Sequence, residues 1–186
     1  IEKEITKKTK AVIFVNLFGS VCNITKLKKI KNKNKKIFFI EDAAQSFGAK
    51  FKNYNSCNTL DISCTSFFPT KNLGCYGDGG AIFTNLKYIY NPSKMIREHG
   101  QKIKYHHDFV GIGGRLDTIQ ASILLAKLKS FKSEISLRKS NFIYYNELID
   151  KQNLSLKKKF RIGRIKFPVE GSPNYASYNI FVRPEV

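Results

Sequence analysis

Two short, largely apolar runs, Ala11-Val-Ile-Phe-Val15 and Lys36-Ile-Phe-Phe-Ile40, bracket a helical stripe of Ile24, Leu27 and Ile30. Runs of this length without alternation fit strands buried on both faces, and the three-residue steps between them fit an amphipathic helix. Two parallel strands cannot be joined by a tight turn, so strand, helix and strand at this spacing form a right-handed crossover in a parallel sheet. The pattern narrows the chain to an α/β architecture. It also says where chemistry gathers, because open parallel sheets place their sites at the carboxyl ends of strands. Glu41-Asp42 stands at the end of the second run.

Downstream, Ile62-Ser-Cys-Thr-Ser66-Phe-Phe68 predicts another strand, which leads into Pro69-Thr-Lys71-Asn-Leu-Gly74-Cys-Tyr-Gly77-Asp-Gly79-Gly80. Glycines at that density mark backbone with φ > 0 or a close approach of another group, so Lys71 is held in a tight turn. Ala81 to Thr84 reads as a strand, Asn85 as a cap, and residues 86–98 as a helix in which Pro92 opens a new first turn. Ala43 to Ala49 is a tight run of small residues, Phe51 to Asp61 a polar excursion, and Gln101 to Gly114 a polar and aromatic loop. From Arg115, apolar residues at three- and four-residue steps predict one long helix to about Asp150. Such a helix leaves one unit and enters another. Residues 1–130 therefore read as part of a large domain, and 131–186 as a connecting helix and the beginning of a smaller α+β domain. Lys157 to Lys159 is linker-like, and Ile162 to Val169 and Ser177 to Val182 are strands of the smaller unit.

Composition sets the remaining bounds. At 186 residues and 42% hydrophobic the chain can build a core, which argues against disorder. No apolar run reaches membrane-spanning length and the first residues carry no signal-peptide core, so a cytoplasmic location is expected. The chain does not begin with methionine, which predicts a fragment. Cys22, Cys57, Cys64 and Cys75 lack a C-x-x-C spacing and are expected as reduced thiols, and His99, His106 and His107 lack a metal-ligand spacing. The formal charge of +19 raises a nucleic-acid partner as an alternative, with affinity falling steeply with salt. No aromatics interleave with the densest lysine run, Lys26 to Lys36, so it reads as a solvated helix end, and neither nucleic acid nor membrane is expected as a partner.

Asp42 and Lys71 each stand at the carboxyl end of a predicted strand. A lysine amine is nucleophilic only when deprotonated, and its characteristic work is to condense with a carbonyl. Pyridoxal 5′-phosphate is the commonest cofactor for this, and a strand-end carboxylate is the usual partner of its pyridine nitrogen. Gln45 could reach the phenolic oxygen of the same ring and Ser66 its phosphate. Singly, each residue has another reading. Asp42 could be a helix N-cap, Gln45 a solvated amide, Ser66 a strand-end hydroxyl and Lys71 an ordinary loop lysine.

Glu41-Asp42-Ala-Ala-Gln45-Ser-Phe-Gly48-Ala49 and Ser66-Phe-Phe-Pro-Thr-Lys71-Asn-Leu-Gly-Cys-Tyr-Gly-Asp-Gly-Gly-Ala81 resemble the DegT/DnrJ/EryC1/StrS family of pyridoxal-phosphate-dependent sugar-nucleotide aminotransferases. Arg97-Glu-His99-Gly100-Gln101 and Gly111 to Ala121 extend the resemblance, which runs from about Val12 to Leu148. It implies a fold-type I transferase with a partial large-domain sheet flanked by helices, acting as a homodimer with the site at the interface. It also implies Lys71 as the Schiff-base lysine that later moves the proton, Asp42 at the pyridine nitrogen, Gln45 at the phenolic oxygen, Ser66 on the phosphate, and Arg115 reaching the neighbouring subunit's substrate site. The implied reaction moves an amino group from glutamate to a keto-sugar nucleotide for surface polysaccharide biosynthesis. The wording around Lys71 is most similar to members acting at C3, on a UDP-2-acetamido-3-keto-hexuronate. Dehydratases of the family replace the lysine, so Lys71 speaks for transamination.

Three departures accompany the resemblance. Gly113 stands where the family has asparagine, and Asn16 where many members have histidine. The amino-terminal portion of the family pattern, with its phosphate loop and ring-stacking aromatic, is absent, as is the end of the small domain. The expectation is a central fragment with exposed sheet edges, and an inactive truncated family member is the alternative.

Overall fold

The crossover predicted from the first forty residues forms as expected in the computed structural model, which describes residues 1–157 and 161–182. Strand β1 (Ala11–Val15) leads through a single 3₁₀ turn (Leu17–Gly19) to helix α1 (Ile24–Lys33), and β2 (Phe38–Asp42) returns parallel to β1, pairing Val15 with Asp42. The Asn23 side chain caps α1 by accepting from the Lys26 amide at 3.0 Å. The helix lays Ile24 and Leu27 on the sheet, where they join Phe14, Val21, Ile37, Phe39, Ala49 and Phe51 in the first core cluster.

This packing covers one face of the sheet. Phe39 is wholly buried, whereas Ile13 on the opposite face is 68% exposed. The expectation that the first strand is buried on both sides is corrected here: α1 shields the Phe14 side, whereas on the other side α2 reaches Phe38 of β2 through Tyr88 and leaves Ile13 of β1 exposed.

Strands β3 (Lys50–Phe51) and β4 (Tyr54–Asn55) form a small hairpin within the predicted polar excursion. β5 (Ile62–Ser66) then runs parallel to β2, pairing Asp42 with Cys64, and β6 (Gly80–Phe83) runs antiparallel to β5, pairing Ser66 with Gly80. The main sheet is thus mixed, in the order β1-β2-β5-β6. Helix α2 (Lys87–Arg97) contains Pro92 in its interior, so the proline forfeits one helical hydrogen bond instead of opening a new turn. Leu86 occupies the cap position in place of Asn85, and Thr84 Oγ1 takes the Leu86 amide at 3.1 Å. The predicted loop after α2 holds a short hairpin, β7 (Gln101–Ile103) and β8 (His106–His107).

The single long helix expected from Arg115 is two helices, α3 (Thr118–Leu128) and α4 (Phe131–Ser155). The break falls at Ser130, whose hydroxyl donates to Glu134 Oε1 at 2.7 Å, with the Lys127 carbonyl as the alternative acceptor at 3.2 Å. A serine that bonds locally in this way offers the backbone an alternative to continuing the helix. α3 and α4 contribute Leu124 and Phe131 to a second core cluster with Phe67, Leu73 and Cys75.

After α4, pairing is sparse. β9 (Gly163–Arg164) and β11 (Ile180–Phe181) form a two-residue antiparallel ladder, far shorter than the predicted strands. Between them β10 (Gly171–Ser172) pairs with β3, carrying the end of the described chain back to its first half. Phe142, Phe167, Tyr175 and Tyr178 pack around one another, with ring centroids 5.1–5.9 Å apart in the pairs that touch. This aromatic contact, with the Arg164–Asp150 ion pair at 2.7 Å, fastens the segment to α4. Of the linker-like run, residues 158 and 159 lie outside the described residues.

Candidate active site

The chain from Ser66 to Gly80 leaves β5 and returns as β6 through a turn closed by its own backbone. The Phe67 amide donates to the Gly79 carbonyl at 2.7 Å, Cys75 to Phe67 at 2.8 Å, and Lys71 to Phe68 at 2.9 Å. The buried Cys75 thiol adds bonds to the carbonyls of Phe67 and Gly77. Of the four glycines none has a positive φ, so close approach is what they provide. A Cβ at Gly74 would lie 2.6 Å from the Pro69 carbonyl oxygen, and one at Gly80 would lie 2.8 Å from that of Thr65. Two outside elements grip the turn. From α3, Lys127 Nζ donates to the Gly74 carbonyl at 2.6 Å and Gln120 Oε1 takes the Tyr76 amide at 2.7 Å. From the far end of the chain, the Asn174 carbonyl accepts from Asn72 Nδ2 at 2.8 Å.

Lys71 faces a small polar cavity of about 180 Å³, lined among others by Gln45, Ser66, Asn72 and Asn174. Of the residues singled out in the sequence, Gln45, Ser66 and Lys71 share this cavity. Gln45 Oε1 already accepts from the Phe18 amide at 2.7 Å, and Ser66 Oγ accepts from the Phe68 amide at 3.2 Å. Each therefore keeps its donor, an amide NH₂ and a hydroxyl hydrogen. Among the described residues no carboxylate or carbonyl engages the Lys71 amine. The cavity thus offers three donors and awaits an acceptor-rich guest.

Asp42 sits half-buried at the end of β2, beside the cavity but outside its lining. No helix starts here, so the N-cap reading fails. Asp42 Oδ1 instead accepts the Ala44 amide at 3.0 Å and shapes the Ala43–Gly48 turn that presents Gln45. Arg115 is exposed and does not reach the cavity. It lies near Glu98, whose carboxyl is lowered mainly by the Arg97 hydrogen bond and more weakly by Lys94 and Arg115.

Sequence reasoning passed over the residue next to Asp42. Glu41 is 0% exposed and points to the α1 side of the sheet. Removing a carboxylate from water costs on the order of several kcal/mol unless donors replace the water. Here they do. Asn16 Nδ2 and Ser63 Oγ donate at 2.6 Å, Thr59 Oγ1 at 2.7 Å, Ser56 Oγ at 2.8 Å and the Cys57 amide at 3.1 Å. Burial, and then the Glu41 charge, push the Cys57 thiol up to about 12. Burial and Glu41 raise Cys22, and burial and then Asp42 raise Cys64. All four thiols are free. A carboxylate at the end of an apolar strand was the available clue to this network.

Asn174 was also missed, and nothing around it in the sequence marks it. It is 1% exposed; its side-chain amide donates to the carbonyls of Gln45 and Phe47, each at 2.9 Å, and its backbone amide to Gly19 at 3.0 Å. Its Oδ1 has no hydrogen-bond partner and lies against Gly19, where any Cβ would collide with it. Gly19 has φ +87° and follows Phe18 at φ +58°, so the 3₁₀ turn after β1 is left-handed at two successive residues.

The sequence model of the DegT/DnrJ/EryC1/StrS aminotransferase family matches residues 1–162. Over 180 residues the chain is 46% identical to the UDP-2-acetamido-2-deoxy-3-oxo-D-glucuronate aminotransferase of Pseudomonas aeruginosa, covering 97% of this chain and 48% of that protein. Among solved structures, a DegT DnrJ EryC1 StrS aminotransferase from Brucella abortus superimposes with a TM-score of 0.82 at 35% identity, over 94% of this chain and 44% of that one. DesV of S. venezuelae, solved in complex with a ketimine intermediate, gives 0.84 at 28% identity, over 98% and 47%. The chain spans about half the length of these relatives.

Proposed function

Since the chain belongs to the DegT/DnrJ/EryC1/StrS aminotransferase family, we propose that it carries the Lys71 half of a pyridoxal-phosphate-dependent sugar-nucleotide aminotransferase site. The observation that carries this reading is the donor set of the cavity: an uncommitted lysine amine, an amide NH₂ and a hydroxyl, with Asp42 at the adjoining strand end. That set fits an anionic pyridine aldehyde. Lys71 would hold the cofactor covalently, Gln45 would donate to its phenolic oxygen and Ser66 to its phosphate, and Asp42 would keep the pyridine nitrogen protonated. When bound, pyridoxal phosphate supplies the electron sink that makes the C–H bond beside the amino group acidic. Lys71 Nζ, once released from the cofactor, would be the base that moves a proton there, and the 67–79 turn that holds Lys71 would set where that amine stands.

We further propose glutamate as amino donor and the C3 ketone of a UDP-2-acetamido-3-keto-hexuronate as acceptor, for surface polysaccharide assembly. The similarity to the Pseudomonas aeruginosa enzyme supports the acceptor. A homodimer would place Arg115, exposed and outside its own cavity, at a neighbour's substrate. Residues 1–130 would belong to the cofactor-binding unit and 131–186 to the connecting helix and the beginning of the second. Among the described residues no helix is long and apolar enough to cross a membrane, which is compatible with work in the cytoplasm.

Adding pyridoxal phosphate to the purified chain tests the reading. The expected result is a visible absorption band that borohydride fixes to the Lys71 peptide and that Lys71→Ala abolishes. No band, or a band indifferent to Lys71→Ala, would show that these residues do not hold the cofactor.

A further inference from the structure

We infer that Glu41, braced by Asn16, is the positioning residue of the candidate site: it fixes the strand end that carries Asp42 and the turn that carries Gln45. Five side-chain and backbone donors converge on one buried carboxylate from three separate stretches of chain, the end of β1, the 56–59 loop and β5. Glu41 and Asp42 are consecutive in a strand, so their side chains lie on opposite faces, and what immobilises one sets the direction of the other.

Asn16 links both residues. Its side chain donates to Glu41 Oε1 at 2.6 Å while its backbone amide donates to the Asp42 carbonyl at 3.0 Å. Its side-chain Oδ1 takes the Cys22 amide at 2.8 Å, and the residue is 0% exposed. Two residues on, the Phe18 amide holds Gln45 Oε1. The same short turn therefore anchors Glu41, Asp42 and Gln45 together. Nothing in the chemistry assigned to the cavity uses the Glu41 carboxylate directly, and it has no path to solvent. A core-filling role would be met by an apolar residue, whereas a hydrogen-bonded anion at this point fixes the angle at which β1, β2 and β5 end.

The inference rests on the proposed function for its purpose and is tested without the cofactor. Hydrogen exchange read by mass spectrometry compares the wild-type chain with Glu41→Gln, which keeps the volume and removes the charge. Amides of residues 16–22 and 42–46 should exchange roughly tenfold faster or more, while those in the middle of α4 keep their protection, because the loss is a local opening. Acceleration spread evenly over the molecule, or none, would overturn the positioning role. If Glu41→Gln does not fold, Asn16→Ala removes one donor of the five and carries the same test. A second readout adds pyridoxal phosphate: capture at Lys71 should need roughly tenfold more cofactor in Glu41→Gln while still reaching Lys71, and unchanged capture would overturn the link to the site. If the wild-type chain captures none, the proposed function fails while the exchange comparison still decides Glu41.

Discussion

Cys57 holds its proton tightly because it is buried beside the buried Glu41 carboxylate. Its thiol ordinarily titrates near 9.0 and is pushed up to about 12 in the fold, by burial first and Glu41 second. The folded chain keeps a proton that the unfolded chain releases, so folding takes up a proton between those two values. The Cys57 contribution to stability is fully held below pH 9 and declines as the pH rises toward 12. Urea midpoints measured upward from neutrality should fall across that window, and less in Cys57→Ala; parallel curves for the two proteins would contradict the assignment. Of the residues singled out in the sequence, Gln45 in the turn after β2, Ser66 at the end of β5 and Lys71 in the glycine turn are gathered around one cavity, while Asp42 and Arg115 lie outside its lining. Glu41, Asn16 and Asn174 act through partners far away in the chain, and no local pattern announces a partner 25 or 129 residues distant.

Helix α3 does for the Lys71 turn what the 3₁₀ turn after β1 does for Asp42. Its half-buried Lys127 donates at 2.6 Å to the Gly74 carbonyl, and its Gln120 holds the Tyr76 amide. Lys127→Met keeps the aliphatic stem and leaves that carbonyl without its donor, which should cost about 1–3 kcal/mol. Urea unfolding of the variant measures the loss directly, and a change well below 1 kcal/mol would mean water replaces the ammonium. The strand and helix types of β1, α1, β2 and β6 came through from an apolar run or stripe, whereas β5, whose buried positions are Ser63 and Thr65, was legible only from its β-branched and small residues and the glycine turn after it. The break between α3 and α4 did not come through, because the apolar steps continue through Ser130 and only its hydroxyl diverts the backbone. Nor did the one-sided cover of β1: an apolar run records what a strand could bury on each face and not what arrives to bury it.

Over the whole molecule, local ion pairs and the net charge pull in different directions. Part of the lysine run is used internally: Lys31 pairs with Asp61 at 2.7 Å, Lys33 with Glu2 at 2.8 Å, and Lys28 stacks 4.0 Å over the Tyr54 ring. A formal charge of +19 still leaves strong self-repulsion. Salt should therefore stabilise the fold, with urea midpoints rising from low ionic strength to about 0.15 M, where the screening length is about 8 Å. A falling midpoint would mean that the ion pairs outweigh the repulsion. Asn174 gives the molecule a property in time as well as in space. The bond from Asn72 to Asn174 spans 102 residues, so the Lys71 turn leaves the ribosome long before its last support exists. At synthesis rates of about 5–20 residues per second that interval is roughly 5–20 s. Through it the nascent cavity lacks one wall, and the Lys71 turn stands without the Asn174 carbonyl that Asn72 will bind.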